Sequence, residues 1–86
     1  MASFDEHCQD CIKALGEPYE NVHRWLDAFF PVYGFDHRPE RHHDEGIKEV
    51  RQIWGDGAAR AAEIHILKDY GFIPTKEQAD LWKLFR

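Results

Sequence analysis

The stretch RHHDEGIKEV, residues 41–50, combines the apolar spacing of a helix with an unusual concentration of histidine and acid. Ile47, Val50 and Trp54 recur at intervals of three and four residues, which predicts one face of a helix. Pro39 suits the first turn of this helix, where the missing backbone N–H would have no partner in any case. The WGDG that follows Ile53 is expected to end the helix.

The two adjacent histidines of this stretch point in different directions. On a helix, His42 and His43 are separated by about 100°, and His43, four residues before Ile47, is expected to face the core. Gly46 costs about 1 kcal/mol relative to alanine inside a helix, so we expect a neighbouring backbone to come close to it and to the imidazoles. His37, in the preceding connection, is expected on the surface.

The fold that these patterns indicate is all-α: one compact domain, residues 1–86, of four to five short helices. No window shows convincing strand alternation. The three tryptophans are expected to pack in the core, Leu81 and Phe85 to dock the last helix, and the fourth helix to begin near Ala58. Other boundaries follow from glycine, proline and capping signals: Gly16, Pro18, Pro31, Gly71 and a capping box of Thr75 with Gln78.

Composition restricts the partners of the chain. The 86 residues carry a net charge of -5, which disfavours non-specific binding to nucleic acid. There is no apolar run of membrane-spanning length, so no membrane partner is expected. The first residues, MASFDEHCQD, lack the basic and apolar segments of a signal peptide, and a cytoplasmic protein is therefore expected.

The two cysteines, Cys8 and Cys11, are three residues apart and share a helix face. A disulfide between them would distort the helix. A purely structural pair of small apolar side chains is favoured over a redox site.

Histidine is the most informative residue type, with six copies spread along the chain. His7 falls among apolar positions of the first helix. His23 lies four residues before Asp27, as His65 does before Asp69, so each pair shares a helix face. Imidazole and carboxylate groups are ligands for zinc, iron and manganese. We therefore predict a divalent transition-metal site with ligands from the following set: His7, His23, His42, His43, His65 and Asp69.

Such a site predicts hydrolysis as the simplest reaction. When a metal-activated water attacks a phosphoester, other groups must orient ligands or move protons, and Asp27 and Asp44 are the candidates. His43 and Asp44 also resemble the adjacent His-Asp pair of the HD phosphohydrolases, with His23 and Asp69 as outlying ligands. The alternative of independent, structural histidines stays open.

The order of these residues resembles a family of small uncharacterised bacterial and phage proteins classified as a domain of unknown function. The resemblance covers most of the chain. It is carried by an early His7, HRWLD at residues 23–27, HRPERHHDEGI at residues 37–47 and HILKDYGFIPT at residues 65–75. It supports the histidines as a set and implies no known reaction.

Three interpretations follow from the sequence. The first is a small, soluble, histidine-rich metal-binding protein with a hydrolytic activity on a phosphoester. The second is a non-catalytic phage or bacterial regulator or inhibitor, which binds a host protein through its acidic surface and uses its histidines to hold the fold. The third is a pocket for a nucleotide or another small molecule, with Arg38 or Arg41 at the phosphate. The sequence leaves open whether the protein is an enzyme, and its aromatic-rich helices favour a homodimer.

Overall fold

Five helices of seven or more residues form most of the structure, a computed structural model that describes residues 2–86. Two single-turn α-helices and one 3-10 helix connect them, and this range contains no strand, which confirms the all-α prediction. None of the described helices is both long and apolar enough to cross a membrane. The elements are α1 Phe4–Leu15, α2 Glu20–Leu26, α3 Phe30–Tyr33, a 3-10 helix Gly34–His37, α4 Arg38–Arg41, α5 Asp44–Trp54, α6 Asp56–Tyr70 and α7 Lys76–Lys83.

Helix α6 lies at the centre of the fold. It packs against α1, α2 and α5. The side chains at these contacts are small and fully or almost fully buried: Ala58, Ala59, Ala61 and Ala62. Small side chains allow neighbouring helices to approach closely, and this leaves space beside His65 on the same helix for other imidazole rings.

Local signals set both ends of α1 and the start of α7, and of these signals Gly16 and the capping box were predicted. The Ser3 hydroxyl accepts a hydrogen bond from the Glu6 amide at 3.2 Å, and Gly16 ends α1 in the left-handed region at φ 86°. The capping box of α7 is present: the Thr75 hydroxyl accepts from the Gln78 amide at 3.1 Å, and the Gln78 side chain accepts from the Thr75 amide at 2.9 Å.

The connection between α2 and α5 differs from the prediction. The second helix was expected to begin at Pro18 and end at Pro31, but α2 ends at Leu26, and Pro31 lies in the first turn of α3. Proline is tolerated in a first turn, so it opens this short helix and does not close the one before. Tyr19, which precedes α2, has a left-handed backbone at φ 54°.

The predicted third helix is split in two. Helix α4 ends at Arg41, and α5 begins at Asp44 after the extended residue His43. A Cβ at Gly46 would overlap the carbonyl oxygen of Arg41 and lie 3.1 Å from its carbonyl carbon. The close backbone approach expected at Gly46 is therefore confirmed, and the backbone that approaches is the end of α4.

Several side chains predicted for the core are exposed. Trp54, Leu81 and Phe85 are 41%, 55% and 81% exposed. Phe85 lies beyond the end of α7, so the predicted docking of this residue is wrong. Cys8 and Cys11, in contrast, are buried and free, and burial raises the pKa of the Cys11 thiol to about 11.

Candidate metal centre

Five of the six histidines meet in one buried cluster together with two aspartates. Each of these imidazole rings is at most 1% exposed. Five of the cluster's members lie within four separate helical segments, and the other two directly follow α2 and α4. Its members are His7 from α1, His23 and Asp27 from α2 and its end, His37 from the 3-10 helix, His42 after α4, and His65 and Asp69 from α6.

Four atoms at the middle of the cluster are close enough to share one ion. His42 Nε2 lies 3.1 Å from His65 Nε2 and 3.2 Å from Asp69 Oδ2. Asp27 Oδ1 lies 3.4 Å from His42 Nε2 and 3.3 Å from His65 Nε2. His65 Nε2 and Asp69 Oδ2 are 3.4 Å apart. All four atoms lie within 4.8 Å of one another, so Asp27, His42, His65 and Asp69 could hold a metal ion.

A chain of hydrogen bonds orients His65. His23 Nε2 donates to the Pro18 carbonyl at 2.8 Å, which leaves His23 Nδ1 as an acceptor. His65 Nδ1, 2.9 Å away, must then carry the proton, and His65 Nε2 presents its lone pair to the centre. Burial, with the nearby His65, lowers the pKa of His23 to about 4, so this ring is neutral at pH 7. His23 therefore orients His65, one of the proposed ligands, through this hydrogen bond.

His37 supports Asp27 in a similar way. Its Nδ1 lies 2.8 Å from the Gly34 carbonyl and its Nε2 lies 2.9 Å from Asp27 Oδ1. Since both neighbours are acceptors, His37 donates from both nitrogens and is cationic in this arrangement. The predicted surface position of His37 is wrong, because the residue is fully buried. The signal that could have found it is its place in the segment HRPERHHDEGI at residues 37–47.

Both aspartates are ionised. Burial raises the pKa of Asp27, but its close contacts with the imidazoles of His37, His42 and His65 outweigh this effect and hold the pKa well below its usual range. The same balance, with His7 as the third imidazole, lowers the pKa of Asp69. Two negative charges within 4.8 Å of each other repel, and a cation between them would offset this repulsion.

His7 lies beside the four central atoms. Its ring stacks on that of His65 with centroids 3.5 Å apart, and its Nε2 is 3.4 Å from Asp69 Oδ1. Neither ring nitrogen of His7 has a hydrogen-bond partner among the described residues, and the same holds for Asp69 Oδ1 and His42 Nδ1. Unpaired buried polar atoms are costly, so the cluster is not accounted for by its own hydrogen bonds.

His43 and Asp44, two residues predicted for the site, lie outside the cluster. His43 caps α5: its Nδ1 accepts from the Gly46 amide at 3.0 Å and its Nε2 donates to the Glu40 carbonyl at 3.0 Å. Asp44 Oδ1 accepts from the amides of Glu45 and Lys76, at 2.7 and 3.0 Å. The structure therefore gives the pair a capping role, and the comparison with the HD phosphohydrolases has no geometric support at these two residues.

The fold and the cluster define a class of protein: an all-α domain that encloses a histidine–aspartate centre. The chain belongs to the family described as Domain of unknown function (DUF6915), which matches residues 2–81. This confirms the resemblance to a family of unknown function. Among curated proteins and among solved structures, no match was found.

Proposed function

We propose that the protein binds one divalent transition-metal ion through Asp27, His42, His65 and Asp69, with Zn²⁺ as the first choice and Fe²⁺ or Mn²⁺ as alternatives. Zinc bonds to nitrogen and oxygen of about 2.0–2.1 Å place the ligands of a tetrahedron about 3.3 Å apart. Five of the six distances between the four ligand atoms are 3.1–3.4 Å. This agreement carries the proposal.

Hydrogen bonds among the four proposed ligands explain their short distances less well than a shared cation does. His42 Nε2 lies within 3.4 Å of Asp27 Oδ1, His65 Nε2 and Asp69 Oδ2. One imidazole nitrogen carries at most one proton, which cannot serve three acceptors. A cation at the centre interacts with all four atoms at once. Ionised carboxylates at Asp27 and Asp69 and a lone pair on His65 Nε2 are also what metal binding requires.

Hydrolysis of a phosphoester is the reaction that we assign to this centre if the protein is an enzyme. A divalent ion lowers the pKa of a water molecule that it binds and so supplies a nucleophile at neutral pH. Asp27 is the ligand whose side chain is partly exposed, at 30%, so substrate or water could approach there as a fifth ligand. Asp27 would orient the attacking water, which loses its proton to solvent at the exposed side of Asp27, and His37 would hold the carboxylate in place. Asp44 has no part in this mechanism because its carboxylate caps backbone amides.

Two adjacent histidines provide a matched test. We expect protein purified without added chelator to contain close to one equivalent of Zn²⁺, Fe²⁺ or Mn²⁺ by elemental analysis. His42→Asn should lose the metal. His43→Asn should keep it, since asparagine is a good helix cap. Metal-free wild-type protein that also fails to bind added Zn²⁺, or equal metal content in the two variants, would contradict the proposal.

A second candidate function is the binding of a nucleotide or another phosphate compound at Arg38. The Nε of Arg38 is buried without a hydrogen-bond partner and lies 3.8 Å from Asp69 Oδ2. The same side chain lines a surface hollow of about 290 Å³ with Tyr70 and Trp82. Arg41, the other arginine considered, is already engaged, since it donates to the Trp25 carbonyl at 2.8 Å. Thermal-shift screening of wild type and Arg38→Met with nucleotides tests this function; equal shifts would exclude Arg38 as the contact.

The non-catalytic regulator remains the rival from another class. Its support is the net charge of -5 together with exposed apolar side chains near the end of the chain, Leu84 and Phe85 at 77% and 81% exposure. A host protein or a second copy of this chain would cover such a surface. Metal-free protein that keeps its helicity in His42→Asn favours this rival, and light scattering measures whether the chain is a homodimer.

A further inference from the structure

One of the four proposed ligands, Asp27, lines a surface groove. The side chains of His42, His65 and Asp69 are at most 1% exposed, whereas that of Asp27 is 30% exposed. Asp27 and His23 line a groove of about 460 Å³, together with Phe4, Arg24, Ala28, Phe30 and Pro31. This volume lies in the range of small-molecule sites. The groove therefore leads from solvent to the edge of the metal centre.

Two aromatic rings flank the groove and stand against the histidines that support the ligands. Phe4 meets the ring of His23 edge-on, with centroids 6.2 Å apart, and Phe30 meets the ring of His37 edge-on at 5.4 Å. Both phenylalanines are partly exposed, at 36% and 39%. A molecule in the groove would contact apolar surface on both sides and would reach Asp27 between them.

The charges around the groove limit what it can hold. Arg24 is the cationic residue of its lining, and this guanidinium already pairs with Glu20 at 3.2 Å and packs over the Phe4 ring at 5.1 Å. The carboxylates of Asp27 and Asp69 offset the charge of a divalent ion, so the cationic His37 beside Asp27 leaves the centre with one positive charge. One negative charge on a ligand is therefore offset, the second charge of a phosphate monoester is not, and an apolar body suits the walls.

We propose that this groove binds a singly charged oxyanion with an aromatic or branched aliphatic body, a phosphodiester or a carboxylate, with its oxygen directed to the metal at Asp27. The inference rests on the proposed metal site and narrows the phosphoester substrate to a diester. The apolar body lies between Phe4 and Phe30, and the buried ligands His42, His65 and Asp69 stay in place.

The test uses the full chain loaded with one equivalent of Co²⁺, whose visible absorption reports changes in its ligands. Four compounds are titrated: methyl phenyl phosphate, dimethyl phosphate, phenyl phosphate and phenylacetate. We expect methyl phenyl phosphate to change the spectrum and to bind about tenfold more tightly than dimethyl phosphate, because its ring enters the groove. Phenyl phosphate should bind more weakly than the diester, and phenylacetate separates a carboxylate site from a diester site.

Three variants test whether the phenyl ring of methyl phenyl phosphate lies in the groove. Phe30→Ala should weaken the binding of methyl phenyl phosphate about fivefold and leave the binding of dimethyl phosphate unchanged. Ala28→Leu, which places a larger side chain in the groove, should also weaken the binding of methyl phenyl phosphate. Phe72→Ala removes a partly exposed phenylalanine outside the groove and should have no effect.

The outcomes separate the two proposals. If Co²⁺ binds and none of the four compounds changes its spectrum, or if the ring gives no advantage over dimethyl phosphate, the groove proposal is overturned and the metal site stands. If phenyl phosphate binds most tightly, the predicted single charge is wrong. If Co²⁺ does not bind, the metal proposal fails and the groove proposal fails with it.

Discussion

Replacing Gly46 by alanine tests whether the junction of α4 and α5 positions the metal centre. The new methyl group would overlap the Arg41 carbonyl oxygen, which belongs to the backbone and cannot rotate away. Arg41 directly precedes His42, whose Nε2 lies 3.1–3.4 Å from the other three proposed ligand atoms. To relieve the overlap, α4 must move relative to α5, and His42 must move with it.

The expected magnitude follows from two opposing effects. Overpacking against a rigid group costs about 3 kcal/mol at the upper end of its usual range. Replacing glycine by alanine inside a helix stabilises by about 1 kcal/mol. The net loss of unfolding free energy is about 2 kcal/mol, which lowers Tm by about 10 °C in a domain of this size. Because His42 is displaced, Zn²⁺ affinity should fall by about tenfold or more.

Denaturant unfolding measures the stability, and competition with a chromophoric chelator measures the Zn²⁺ affinity. Gly57→Ala is the matched control, since a Cβ at Gly57 would lie 2.5 Å from the Tyr19 hydroxyl, the tip of a side chain that can turn aside. Its stability should stay within about 1 kcal/mol of wild type. The reasoning is refuted if Gly46→Ala is as stable as wild type, or if it is destabilised while its Zn²⁺ affinity is unchanged.

Further predictions concern His37 beside the proposed ligand Asp27, the metal ion, the Cys11 thiol and the cap of α7. His37→Ala should weaken Zn²⁺ binding by about 10–100-fold, because Asp27 loses its support; unchanged affinity in the chelator competition contradicts this role. Zn²⁺ at about 100 times its Kd should add about 2.7 kcal/mol to the unfolding free energy of the apoprotein, and removal by a chelator should reverse the gain; a Tm insensitive to Zn²⁺ counts against a folded-state site. Burial raises the pKa of Cys11 from 9.0 to about 11, so at pH 8 the folded protein has about 100-fold less thiolate there than the unfolded chain. Iodoacetamide should therefore modify Cys11 rapidly only in denaturant, as peptide mass spectrometry will show. Since the unfolded thiol ionises first, this group also makes stability fall as the pH rises above 9. Thr75→Ala should cost about 1 kcal/mol through loss of the α7 cap, with Thr75→Ser close to wild type.

Features with local causes were predictable from the sequence. Gly16, Gly71 and the Thr75–Gln78 pair end or begin helices where expected, because each satisfies backbone groups within a few residues of itself. The small buried residues of α6 were predictable for the same reason: helical spacing places them on one face. Five of the six predicted ligands, all except His43, do meet in the cluster.

The errors arise where the chain leaves a regular helix. A continuous helix from Pro39 would direct His43 to the core, but α4 ends at Arg41 and His42 has a non-helical backbone at φ -85°, ψ 68°. The helical periodicity is therefore interrupted at His42 and His43, and the directions of their side chains no longer follow from the residues before them. His42 enters the cluster and His43 caps α5, the reverse of what helical periodicity predicts.

The sequence by itself determined an all-α chain with an excess of histidine at positions that recur on helix faces, because the periodicity of apolar and capping residues is a local property. Only the tertiary structure decided which imidazoles converge. His23, His42 and His65 are separated by 19 to 42 residues, and the packing of α6 against its neighbours brings their rings within hydrogen-bonding distance. That packing depends on contacts between distant segments and on where single-turn helices end, and no local pattern encodes either.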